Sequence, residues 1–184
     1  MSSAISRLFG PILLGVISYL LCIVIPTRAI AHALGLFIPA SGTAIFGGLT
    51  MVLWIVFSEL LYGYGASIIT SLTLIGLLLV TAPWYGVVKP PWFSLVGLIS
   101  VIVMGTIIYV GVRSNRVLIA SGLSLLSMHF ITWLFMSQIG IINLTTASVV
   151  LPLLALTAYV SGLFGGVLAR IICDVVRGKT EVLD

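Results

Sequence analysis

The sequence predicts an all-α integral membrane protein, a single domain over residues 1–184 that is a bundle of six transmembrane helices. Of the 184 residues, 61% are hydrophobic and only 7% are charged, and the mean hydropathy is +1.35. A soluble domain carries about 25% charged residues, so this chain has too few of them to cover a surface that faces water. Its apolar residues also fall into runs of about the 20 residues that a membrane-spanning helix needs.

Six spans follow from these runs and from the turn-forming residues between them. They are predicted at 8–25, 43–62, 66–82, 93–112, 117–137 and 148–175. The first run is too long and too rich in Pro and Gly for a cleaved signal segment. The join at residues 62–65, Tyr-Gly-Tyr-Gly, is so short that spans two and three must form a tight antiparallel hairpin. The segment 28–40 after the first span is only semi-polar and is predicted to be a short interfacial or re-entrant helix.

The basic residues orient the bundle, because loops on the cytoplasmic side of a membrane carry an excess of Lys and Arg. With six spans, one side holds six basic residues: Arg7, Arg113, Arg116, Arg170, Arg177 and Lys179. The other side keeps Arg28 and Lys89. The chain is therefore predicted to lie in the cell membrane with both termini in the cytoplasm. The net charge of +4 indicates topology and contact with the lipid bilayer, not nucleic-acid binding.

The loop at residues 82–92 (APWYGVVKPPW) is unusually aromatic, stiff and charged for a chain of this composition. Its three prolines restrict the backbone, so holding the loop in one shape costs less entropy. Trp84, Tyr85 and Lys89 are predicted to contact a small ring-bearing ligand from outside. The alternative is an interfacial anchor, since Trp and Tyr collect at the headgroup level of membrane proteins.

Polar and aromatic residues also follow one another along the fifth span toward the outside. Trp133 comes four residues after His129, so the two share a helix face, and Gln138 and the outward Asn143 come later. We predict that these four form one wall of a pocket open to the outside. The alternative for His129 is a structural hydrogen bond between helices.

Apart from Asp174, one residue before the predicted end of the sixth span, Glu59 is the only acidic residue within a predicted span, and ionisable groups in a bilayer are costly. Its carboxylate is expected either to reach the inner interface or to pair with Arg113 or Arg116. The alternative is contact with a partner or a coupling ion.

Small residues at helix-packing spacing mark the first and last spans. Ser161, Gly165 and Ala169 share a face of the last span, and Gly10, Gly15 and Ser18 lie in the first. Small residues let helix backbones approach closely in lipid. The neighbour is either another helix of this chain or a separate subunit.

Catalytic signatures are missing from the sequence. HExxH, GxSxG and Walker motifs do not occur, and neither do paired intramembrane aspartates. Cys22 and Cys173 stand alone, without the spacing of metal ligands. We therefore predict a protein that is not an enzyme and that uses no metal or cofactor.

Two stretches resemble a known family. Residues 34–49 (LGLFIPASGTAIFGGL) and the small-residue helix 156–170 (LTAYVSGLFGGVLAR) resemble the substrate-binding (S) components of energy-coupling factor transporters. The resemblance implies a subunit that captures a vitamin, a vitamin precursor or a metal from outside. It also implies two kinds of partner, a membrane coupling subunit and cytoplasmic ATPases. Many members carry an alanine-spaced motif in the first helix for the coupling subunit, whereas here that helix offers Gly10, Gly15 and Ser18.

The predicted function is uptake of a small molecule, vitamin-like by resemblance, as the binding subunit of an ATP-driven transporter. The two small-residue faces are its expected partner contacts. The alternative is a non-catalytic structural or assembly subunit of a larger membrane complex.

Overall fold

The computed structural model describes residues 2–37, 40–81, 91–140, 143, 148 and 150–178, and only the backbone of residues 2–7, 28 and 91–94. Along these residues the chain is helical, without strands. Its elements are α1 (Ser2–Val24), α2 (Thr27–Ala33), α3 (Ser41–Gly47), a π-helical turn (Gly48–Val52), α4 (Leu53–Tyr62), α5 (Ala66–Thr81), α6 (Pro91–Arg113), α7 (Val117–Gln138) and α8 (Val150–Val176). The all-helical prediction is confirmed for this part of the chain.

Within the part of the chain that the structure describes, five helical stretches are long and apolar enough to cross a bilayer: Leu8–Ala33, Ser41–Tyr62, Leu95–Arg113, Val117–Gln138 and Val150–Val176. Helix α5 is apolar but has only 16 residues. At 1.5 Å per residue it is about 24 Å long, against about 30 Å for the hydrocarbon core. The helices are thus compatible with a multi-pass membrane protein, and the count of six spans stays a prediction.

Helix α1 ends beside Pro26, whose ring cannot supply a backbone N–H to continue the helix. After this break the chain forms the short helix α2. The semi-polar segment therefore does contain a short helix, and its depth in the membrane stays a prediction.

Neighbouring helices run in alternating directions. Gly10 near the start of α1 faces the ring of Tyr62 at the end of α4, and Gly111 of α6 faces Ala120 of α7. Gly162 of α8 lies against Ser121 of α7. As a result the start of α1, the tight turns 63–65 and 114–116, and the end of α8 share one end of the bundle, here named the turn end. The helix ends on either side of residues 25–40, 82–90 and 139–149 lie at the opposite end, here named the loop end.

The turn between α4 and α5 forms the antiparallel hairpin that its length predicts. Gly63, Tyr64 and Gly65 have φ angles of 65°, 52° and 84°. Positive φ is accessible to glycine at little cost, which explains why two of the three positions are glycine.

The bundle exposes many large apolar side chains and buries several polar side chains within its apolar core. Phe9, Val80 and Phe130 are 64%, 80% and 63% exposed, a surface suited to lipid. A fully buried apolar layer fills the centre and includes Ile55, Leu74, Met104, Ile108, Leu125 and Leu154. Buried hydroxyls pair between helices: Ser18 donates to the Thr50 carbonyl at 2.6 Å, and Thr70 lies 2.7 Å from the Ser58 oxygen.

Candidate functional site

A cluster of polar and aromatic groups joins α7 to the start of α3 toward the loop end. His129 is fully buried, and its Nδ1 lies 2.8 Å from the Leu125 carbonyl oxygen. Its Nε2 lies 3.0 Å from Thr43 Oγ1 and 3.2 Å from the Ala40 carbonyl oxygen. The His129 ring contacts Trp133 with 5.3 Å between centroids. We call His129, Trp133, Thr43 and Ala40 the loop-end cluster.

Both ring nitrogens of His129 are engaged within the chain. A neutral imidazole has one N–H and one acceptor nitrogen. Each ring nitrogen faces a carbonyl oxygen, so the N–H donates either from Nδ1 to Leu125 or from Nε2 to Ala40. Thr43 Oγ1 lies within hydrogen-bond distance of both Nε2 and the Ala40 carbonyl oxygen, and its single hydrogen serves one of them at a time. The histidine therefore has the inter-helix hydrogen bond that was the alternative to a ligand contact. Its role toward a ligand stays a prediction, and it requires the Thr43 contact to open.

The chain enters α3 through a constrained backbone. Ala40 has a φ of 66°, in the left-handed region. This conformation costs a residue with a side chain about 1–3 kcal/mol and persists only where its surroundings impose it. Two hydrogen-bond contacts surround it: Thr43 Oγ1 lies 2.9 Å from the Ala40 carbonyl oxygen, and the Ser41 hydroxyl donates to the Leu36 carbonyl at 3.0 Å.

Sequence reasoning missed Thr43 and Ala40. The local signal was a hydroxyl residue in the first turn of a helix after a Pro-Ala-Ser-Gly turn. Nothing local connects it to a histidine 86 residues away.

Of the other predicted ligand residues the structure describes two, Gln138 and Asn143, and both are exposed. Gln138 is exposed and lines an apolar groove of about 280 Å³ between α6 and α7, whereas His129 and Trp133 are buried in the bundle. Asn143 is exposed in the connection after α7. Trp84, Tyr85 and Lys89 lie outside the described residues. The structure thus groups two of the seven predicted residues, and the pocket itself stays a prediction.

The small residues predicted to contact a partner all face other helices of this chain. Gly10 faces Tyr62, Gly15 faces Thr70 and Thr73, and Gly165 faces the backbone of Gly48. Ser18 and Ala169 are fully buried, and Ser161 bonds the backbone of α3 and the π-helical turn. This is the intramolecular alternative that the spacing left open. A partner could reach these faces only by separating the helices, so that prediction gains no support here.

Glu59 caps a helix of its own hairpin. Its carboxylate oxygens accept the backbone N–H groups of Gly65 at 3.2 Å and Ser67 at 2.8 Å. These donors lie at the start of α5, where a negative charge is favourable. The predicted pairing with Arg113 or Arg116 is not seen among the described residues. Arg177 instead donates to the Leu60 carbonyl near the end of α4.

The described residues hold no group of three or more His, Cys, Asp or Glu side chains that could bind a metal ion. Cys22 and Cys173 are not joined by a disulfide.

A scan of protein-family models, a search of curated proteins and a search of solved structures found no match to this chain. The resemblance to S components therefore stays a prediction from the quoted residues.

Proposed function

We propose that this chain is the small-molecule-binding subunit of a membrane transporter, with its binding site at the loop end. The observation that carries the proposal is the asymmetry of the bundle. Both tight turns lie at one end, and the helix ends that the three longer connections join lie at the end of the loop-end cluster. Long loops on a rigid helical scaffold are where binding residues concentrate.

The composition of the site supports a small and mostly apolar ligand. Small-molecule sites are largely apolar, with a few placed polar groups. In the proposal Trp133 and the loop aromatics Trp84 and Tyr85 stack on a ring. His129, Gln138 and Asn143 bind its polar edge, and Lys89 meets a negative charge. The resemblance to S components supports a vitamin or a vitamin precursor as the substrate class.

Partners and topology follow from the same proposal. The chain would work with a membrane coupling subunit and cytoplasmic ATPases, with its turn end and both termini in the cytoplasm. The positive charges support this orientation, because Arg113, Arg116, Arg170 and Arg177 all belong to the turn end.

A second candidate function is a structural subunit of a larger membrane complex. The groove between α6 and α7 favours it, because its lining is almost wholly apolar and exposes Leu95, Ile99 and Leu134. A helix of another membrane subunit could pack there. The two candidates differ in one respect that is easily measured: only the first requires a bound small molecule.

The proposal is tested by purifying the chain in mild detergent and identifying any released small molecule by mass spectrometry. Trp133→Phe and His129→Gln should then weaken binding of that molecule tenfold to a hundredfold, since an unmatched buried polar group costs about 1–3 kcal/mol. Trp92→Ala is the control and should have little effect, because we predict that this last aromatic residue of the 82–92 loop anchors the chain at the membrane interface.

Thermal unfolding of each variant without ligand separates lost binding from lost folding. If no small molecule co-purifies and a membrane protein does, the structural role replaces the transport role. If the Trp92 variant weakens binding of the small molecule while the Trp133 and His129 variants leave it unchanged, the binding site lies elsewhere.

A further inference from the structure

The turn end carries a group of exposed arginines on neighbouring helices. Arg113 and Arg116 flank the turn between α6 and α7, and Arg170 lies on α8, which packs against α7. All three side chains are exposed. Among the described residues neither the Arg116 nor the Arg170 side chain has a hydrogen bond or an ion pair. Their charges are therefore available to a partner.

Helix geometry brings Arg170 next to the turn. Gly166 of α8 packs against Ser121 and Leu118 of α7. Residues four apart share a helix face, so Arg170 continues the α7-facing side of α8 by one turn. That step passes the start of α7 and reaches the level of Arg116.

Arg113 is held in a definite position on the other side of this turn. Its guanidinium carbon lies 4.8 Å from the centroid of the Tyr109 ring, one turn earlier on α6. A cation over an aromatic ring is stabilised without using its N–H donors. The donors of Arg113 thus remain open for an acceptor with several oxygens, which is the preference of guanidinium groups.

Apolar side chains begin directly next to these arginines. Val110, Val167 and Ile171 are 57%, 39% and 53% exposed on the same helices. A ligand that contacts both the arginines and these apolar side chains must combine a negatively charged head with a long apolar tail.

We propose that Arg113, Arg116 and Arg170 form a binding site for the phosphate headgroup of an anionic phospholipid, whose acyl chains lie on the adjoining apolar surface. Few acidic side chains compete with a lipid phosphate for these arginines. Of the described acidic residues, Glu59 is buried on α4, and its carboxylate accepts an N–H group at the start of α5. Asp174, one turn after Arg170, has no ion pair within the described part of the chain. Juxtamembrane arginines add roughly a fivefold gain in affinity each for an anionic surface.

The test compares lipid retention by native mass spectrometry of the purified full chain, with phosphatidylglycerol and phosphatidylcholine of the same acyl chains. Wild type should retain phosphatidylglycerol preferentially. The triple variant R113Q/R116Q/R170Q should lose that preference by tenfold or more. Arg28→Gln is the control, because it removes one positive charge from α2 at the loop end. This variant should keep most of the preference for phosphatidylglycerol. The three single variants measure how much each arginine contributes to the preference for phosphatidylglycerol. A thermal unfolding measurement without added lipid checks that each variant is folded.

Three results would overturn the proposal. Equal retention of phosphatidylglycerol by wild type and the triple variant would show that these arginines do not bind the lipid. An Arg28→Gln loss as large as that of a single turn-end variant would reveal a general charge effect. Inorganic phosphate that displaces the lipid at millimolar concentration, or stabilises the chain equally, would assign the site to a free anion.

Discussion

The Ser161 hydroxyl of α8 accepts the backbone N–H of Gly48, at 3.0 Å, where α3 gives way to the π-helical turn. The same hydroxyl donates to the Ile45 carbonyl at 2.7 Å. One side chain therefore bonds both a donor and an acceptor of a neighbouring helix at the point where its winding changes. π-Helical turns are often found at functional sites, and this one lies one to two turns beyond Thr43, a member of the loop-end cluster.

Ser161→Ala should destabilise the bundle by about 1 kcal/mol. Two hydrogen bonds between helices are lost, and such bonds in membrane proteins average about 0.6 kcal/mol each. The measurement is equilibrium unfolding in mixed detergent micelles. Thr157→Val is the matched control, because Thr157 donates only to Leu153 of its own helix. An equal loss in both variants would contradict the bridging role.

Glycine-to-alanine changes at Gly48 and Gly165 should be strongly destabilising, lowering the unfolding midpoint by several degrees. A Cβ at Gly48 would overlap the Ser161 backbone, and a Cβ at Gly165 would overlap the Gly48 backbone. Gly76→Ala is the control, because a Cβ there meets nothing within 4 Å. Alanine favours a helix over glycine by about 1 kcal/mol, so Gly76→Ala should be neutral or stabilising.

Glu59→Ala should loosen the hairpin between α4 and α5. The loss of a side-chain cap costs about 0.5–2 kcal/mol, and two N–H donors lose their acceptor. Hydrogen exchange should therefore speed up at the amides of Gly65 and Ser67, about fivefold or more, while the amides of α7 are unchanged. Glu59→Gln keeps one acceptor oxygen and should show a smaller change. Unaltered exchange at Ser67 would rule out the capping role.

Labelling with an impermeant thiol reagent tests the orientation. In a chain with Cys22 and Cys173 replaced, a cysteine at Leu34, which is 64% exposed at the loop end, should react in intact cells. A cysteine at Ser114, in the exposed turn between α6 and α7, should react only after the membrane is opened. The positive-inside rule predicts this pattern, and the reverse pattern would place the termini outside.

The loop-end cluster gives a local prediction that separates structure from binding. Thr43→Val removes the hydroxyl next to His129 Nε2 while keeping the side-chain shape. Hydrogen exchange at residues 41–44 should increase, because the start of α3 loses its tie to α7. If ligand binding improves at the same time, the tie competes with the ligand for His129. If hydrogen exchange at residues 41–44 is unaltered, the contact between Thr43 and His129 does not stabilise the start of α3.

Composition and local pattern were enough to predict the all-helical class with its long apolar helices, the hairpin at residues 62–65 and the short helix after Pro26. These features depend on residues close in sequence: the length of an apolar run, the missing N–H of proline, the positive φ of glycine. The capping of α5 by Glu59 is also local, yet it was not predicted, because the apolar pattern of a span indicates nothing about which backbone donors a carboxylate meets.

The sequence by itself determined that the chain is a set of apolar helices and where most of them end, since hydrophobic run length and turn residues act locally. Only the tertiary structure decided that His129 meets Thr43, that Ser161 and Gly165 meet Gly48, and that the small-residue faces lie inside the chain's own bundle. Each of these pairs joins residues 86 to 117 positions apart. Which helices become neighbours depends on how all of them pack at once, and the spacing of residues along one helix carries no record of that.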